Sequence, residues 1–220
     1  MTQRLPSLLS TDDLPLAELL AARLDGELFA LDRGFSPIDL PETSLRRAEA
    51  LAGGLNERLI AEQHTAAWVW GALSSPPVLH EFCTALDARV AHRAARWMSV
   101  REVVIDEMDV TAHGPLRLTT PLRTCIDLAR FSVRFGELEV HAVRALMGIG
   151  GFGTAECLNA LERRRNLPGK VLAAERLARV DAVHVIDRVN STYRVQNPVK
   201  VGSVTHLEDV AAQRQSLARR

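Results

Sequence analysis

Residue types able to do chemistry are scattered along the chain. Gly148-Ile-Gly150-Gly-Phe-Gly153 spells G-x-G-x-x-G, the glycine spacing that lets a backbone approach a pyrophosphate. His80-Glu-Phe-Cys83 places two metal-ligand types three residues apart. Asp106, Glu107 and Asp109 are acids of the kind a nuclease uses to hold Mg²⁺. Cys83 or Cys125, paired with a histidine, would make a nucleophile. Arg46-Arg47 and Arg163 to Arg165 are basic clusters able to meet phosphate, and Arg23 and Arg33 flank the short segment before them.

Each chemistry makes demands on its surroundings. The dinucleotide fingerprint needs a strand before its first glycine and an acid roughly 20 residues on. Here the segment before Gly148 has helical periodicity, and so has "LPGKVLAAE" beyond it, so the glycines read as a helix-to-helix connection. A zinc site needs about four ligands and hence a second cluster. None is visible, and strand alternation puts His80 and Cys83 on opposite faces. Both cysteines lie inside apolar patterns, where a thiol is inert. The acids near Asp106 lack the lysine of the usual nuclease set, because no lysine precedes Lys170; a solvated turn is expected there. Trp68 and Trp70 flank Val69 and point to different sides of a helix, one of them into the core. The residues predict no catalytic set, no metal and no cofactor.

The elements that would position these groups are legible in outline. Asp12 to Leu24 reads as a helix, and "ELFALDRGFSPI" as two short strands about a turn at Asp32 to Gly34. Glu42 to Ala52 is a second helix. Leu59 to Ala61 is a strand, followed by a helix from His64 to Leu73. Strands are expected at Val78 to Thr84, Val100 to Ile105, Val110 to His113 and Leu116 to Thr119, the last two about Gly114-Pro115. Thr120 is a good N-cap, and Pro121 at the first helical position loses nothing by lacking an N–H. Leu122, Cys125, Ile126 and Ala129 then form one apolar stripe, with Arg123 and Asp127 on the opposite side. Helices follow over Glu137 to Met147, with Gly148 as C-cap, over Ala155 to Arg165, capped by Thr154, and from Pro168 to about Val180. Beyond Asp181, "VHVID" and "STYRVQNPVKVGSV" read as strands and the end as a frayed helix.

Composition sets the outer bounds. In 220 residues, 47% hydrophobic, there is material for one large or two small cores. The 27 basic and 27 acidic residues cancel, so any polyanion contact must come from a local patch. No apolar run reaches the roughly 20 residues that span a bilayer, and the start of the chain makes a poor signal peptide. Three cysteines spaced far apart suggest a reduced, cytoplasmic protein.

Three segments in order, "LAELLAARLDGELFALDRGF", "RLIAEQHTAAWVWGAL" and "LRLTTPLRTCIDLARF", resemble the AbiEi family of antitoxins from bacterial type IV toxin–antitoxin systems, in their actinobacterial form. The Thr-Thr-Pro-x-Arg-Thr-x-x-Asp-Leu-Ala pattern carrying Thr120, Pro121, Arg123 and Asp127 is the most specific part. The resemblance implies an α+β protein. A short winged-helix-like N-terminal module (1–54) would bind promoter DNA through Arg23, Arg33, Arg46 and Arg47. An AbiEi-like antitoxin domain with a small antiparallel sheet and C-terminal helices (55–180) and a tail (181–220) would follow. It further implies a non-catalytic antitoxin and autoregulator opposing a nucleotidyltransferase-like toxin, without a stable complex being required. Asp25, Glu27 and Asp32 interrupt the arginines of the first module, which sets promoter binding against local acidity. The alternatives are a remnant of a protein with a Vsr-like endonuclease domain, or an adaptor with no toxin partner.

Overall fold

The computed structural model describes residues 6–86, 95–164 and 167–180. The strands and helix expected beyond Asp181, and Arg165, lie outside the described residues. Helix α1 (Leu16–Leu24) starts four residues later than its acids suggested, because Pro15 occupies the N-cap position. Strands β1 (Leu28–Leu31) and β2 (Gly34–Pro37) form the expected hairpin, Leu28 opposite Pro37 and Leu31 opposite Gly34. Its turn holds Asp32 at a left-handed φ of 52°, a conformation that aspartate tolerates better than most residues. Leu9 bridges to Phe35 along the hairpin edge, and Leu9, Leu19 and Leu28 close a small core of their own. Helix α2 (Ser44–Ala52) is capped by Thr43, whose hydroxyl accepts from the Arg46 N–H.

The second half is built on five strands: β3 (Ile60–Ala61), β4 (His80–Ala85), β5 (Met98–Val103), β6 (Val110–His113) and β7 (Leu116–Thr119). Their order is β5-β4-β3-β7-β6. Contrary to the expected small antiparallel sheet, this sheet is mixed. β3 runs parallel to β7, with Ile60 beside Arg117, and β4 runs parallel to β5, with His80 beside Met98. Only β3–β4 and β6–β7 are antiparallel. Strand direction depends on long crossovers, which local periodicity does not encode.

Helix α3 (Gln63–Trp70) leaves β3 directly and ends at Gly71, whose φ of 89° suits a left-handed stop. Helix α4 (Pro121–Phe131) packs on α3, on α5 (Glu137–Gly150) and on α6 (Thr154–Arg163), and a further helix, α7, covers 170–180. The main core joins Leu51 of α2, Trp68 of α3, Phe82 of β4, Ile126 of α4, Leu146 of α5 and Leu161 of α6. A boundary at residue 54 thus falls between elements that share one core. Burying each such side chain contributes on the order of 1.5–3 kcal/mol. Among the described residues no helix is long and apolar enough to cross a membrane.

The glycine stretch does connect two helices, but the details differ from expectation. α5 runs through Gly148 and ends at Gly151, which takes the left-handed φ of 67°. Gly150 faces the Phe152 ring so closely that a Cβ would collide with it. The N-cap of α6 is Gly153 rather than Thr154: the Glu156 carboxylate reaches back to accept from the Gly153 N–H at 2.9 Å.

Candidate functional site

Helix α4 is where charge and core meet. Its sequence pattern put Arg123 and Asp127 on the side opposite the apolar stripe, and every residue from Arg123 to Arg130 is buried. The helix is enclosed by the sheet and by α3, α5 and α6, so its polar face needed internal partners. Asp127 is 0% exposed and accepts from Arg123 Nε at 2.7 Å and from Arg130 Nη1 at 3.0 Å. Arg123 Nη1 donates to Asp109 at 2.6 Å, and Arg164 of the α6 C-terminus donates to the same carboxylate. On the neighbouring strand, Arg101 clasps Glu62 with Nε and Nη2 at 2.5 and 2.6 Å. The Phe131 ring lies under the guanidinium groups of Arg101, at 3.9 Å, and Arg130, at 4.2 Å.

The turn Asp106 to Asp109 therefore divides. Asp106 and Glu107 are solvated as expected, but Asp109 is buried and ion-paired. Arg123 and Arg164 lie too far along the chain for that pairing to be visible locally. Burial opposes the charge of Arg123, and Asp127 and Asp109 more than offset it, raising its pKa. Arg130 goes the other way: burial lowers its pKa, aided by Arg123 and Arg101 against Asp127. Beside this network is a cavity of about 450 Å³ whose lining includes Arg101, Arg123, Arg130 and Arg164, the acid Asp106, and the apolar Val104, Leu167 and Pro168.

A second polar cluster surrounds His64 at the start of α3. Its Nδ1 faces Glu81 at 3.0 Å and its Nε2 faces Glu139 at 3.4 Å. Hydrogen bonding to Glu81 raises the His64 pKa above 6.5 against the opposing effect of burial. His80 and Cys83 are both buried and do not converge on a metal position: His80 Nε2 meets Asp32 at 3.0 Å, inside a ring of Trp68, Phe82 and Trp97. Among the described residues no three His, Cys, Asp or Glu side chains are placed to hold a metal ion. Burial, ahead of the nearby Glu62 and Asp127 charges, pushes the Cys83 thiol up, and burial pushes Cys125 up as well.

The four arginines read as DNA contacts occupy different surroundings. Arg23 is exposed in the last turn of α1. Arg33 lies over the Trp97 ring at 4.1 Å. Arg46 donates to Ser36 Oγ at 2.7 Å. Arg47 is engaged internally, donating to the carbonyls of Trp68 and Leu73 and pairing with Glu42. The residues that carry the sequence resemblance are placed together: Thr120 accepts from the Arg123 N–H, Pro121 opens α4, and Arg123 and Asp127 form its buried pair. The residues missed by sequence reasoning are Glu62, Arg101 and Arg130; Arg164 was singled out as part of a basic cluster, without its partner Asp109. A charged residue within an apolar strand or helix was the available signal, and it does not name a partner.

No protein-family model and no curated protein matches the chain. It is similar to a solved structure titled crystal structure of RV2827C protein from Mycobacterium tuberculosis, at 15% identity and a TM-score of 0.34, over 79% of this chain and 76% of that one.

Proposed function

We propose that the protein is a non-catalytic antitoxin of the AbiEi type, opposing a nucleotidyltransferase-like toxin. The observation that carries this reading is the role of the segment Thr120 to Ala129. The residues that make it resemble the family, Thr120, Pro121, Arg123 and Asp127, form the cap and the charged hub of the central helix. Its charged groups hold the fold together, and the thiols that could have been nucleophiles are sealed in the core. Activity in this reading resides in surface recognition.

Autoregulation is the second half of the proposal. The winged-helix-like module is a shortened one, α1 followed by the β1–β2 hairpin and α2. Because Arg47 is committed to internal carbonyls, phosphate contact falls to Arg23, Arg33 and Arg46.

Co-expression with the toxin encoded beside it tests the first half: restored growth supports the reading, and undiminished toxicity with soluble protein present rejects it. A gel shift with the protein's own upstream DNA across a salt series tests the second. Specific retardation weakening steeply with salt is expected, and substituting Arg23 and Arg46 by Gln should flatten the slope by about two ions.

A further inference from the structure

The arginine-lined cavity has no part in the antitoxin reading, and its chemistry is independent of that reading. Three carboxylates, Glu62, Asp109 and Asp127, grip the arginines, and each of Arg101, Arg123 and Arg130 keeps one Nη outside that grip. Arg101 gives Nε and Nη2 to Glu62. Arg123 gives Nε and Nη1 to Asp127 and Asp109. Arg130 gives Nε to the Pro168 carbonyl and Nη1 to Asp127. Among the described residues Nη1 of Arg101 and Nη2 of Arg123 and of Arg130 make no hydrogen bond, and none of the three is a sealed-off atom lacking a partner. The open space that these side chains border is the cavity.

With the rim acid Asp106 counted, four carboxylates stand against four guanidinium groups, so the cluster offers an anion unbonded N–H groups rather than a surplus of charge. The rim acid Asp106, its side chain 75% exposed, sits 3.9 Å from Arg164. Burial, ahead of the neighbouring Arg123 and Arg101 charges, depresses the pKa of Arg130, and a bound anion would oppose that depression. A carboxylate has two oxygens and suits one fork; several converging forks with free nitrogens suit the three oxygens of a phosphoryl group. The lining also includes the apolar Val103, Val104, Leu167 and Pro168, and about 450 Å³ falls within the range of small-molecule sites. We propose that this cavity binds a phosphate ester of nucleotide size, its phosphoryl group on Arg101, Arg123, Arg130 and Arg164 and its body on these apolar residues.

Thermal-shift and calorimetric titrations of the full chain test this at constant ionic strength. The probes are AMP, glucose 6-phosphate, inorganic phosphate and adenosine, with chloride as the matching salt. At least one ester should raise the Tm saturably and bind about tenfold tighter than inorganic phosphate, while adenosine should do nothing. Val104→Trp, at a position 77% exposed, fills the cavity without touching the core and should abolish the shift. Arg164→Gln should weaken it at least tenfold, and Arg117→Gln, the same charge change at the exposed position of β7, should leave it intact. No shift with either ester, a shift that survives Val104→Trp, or inorganic phosphate binding as tightly as the esters would overturn the proposal.

Discussion

Asp127 is fully buried between Arg123 and Arg130, and its removal would strand both. Asp127→Ala leaves two buried guanidinium groups short of their acceptor and is expected to cost about 3–5 kcal/mol in urea denaturation. Asp127→Asn keeps the shape and one acceptor oxygen, and should cost less. His64 offers a pH handle. Its folded pKa lies above 6.5 because Glu81, helped by Glu139, favours the charged ring. The stabilisation is therefore fully present below about pH 6.5 and is lost as pH rises through the folded value. His64→Gln should flatten the stability profile above pH 6.5; an unchanged slope would show that the ring is not the titrating group.

At the scale of elements, the turn between α5 and α6 separates two uses of glycine. Gly151 is needed for its left-handed backbone alone, since no atom lies within 4 Å of where a Cβ would be. Gly151→Ala should therefore cost about 1–2 kcal/mol from conformation only, read as a lowered denaturation midpoint with an unchanged slope. Gly150, by contrast, is needed for space against Phe152. The G-x-G-x-x-G lettering thus arises from helix termination and close packing. The sheet makes a related point. Alternation located β6 and β7 to the residue, yet the direction in which β3 meets β7 came from a pairing between Ile60 and Arg117 that no local pattern specifies.

For the whole molecule, the hairpin is tied to the main core by Asp32, whose carboxylate holds buried His80, and by Arg33 on Trp97. Cys125 and Cys157 belong to the same core and Cys83 is buried as well, all three free thiols. A thiol reagent should label none of the three in the native protein and all of them in urea; fast native labelling of any would contradict the packing. The sequence by itself determined the elements of α3, α4 and the β1–β2 hairpin, the cap at Thr120, and the reading of the glycine stretch as a connection. Those features depend on neighbours within about one helical turn or one strand pair. Only the tertiary structure decided that the sheet is mixed, that Asp109 leaves solvent, and that Arg101, Arg123, Arg130 and Arg164 share one cavity. The physical reason is that a charge can enter a core only with partners, and these partners come from β5, α4 and the end of α6, which are brought together by folding and not by sequence proximity.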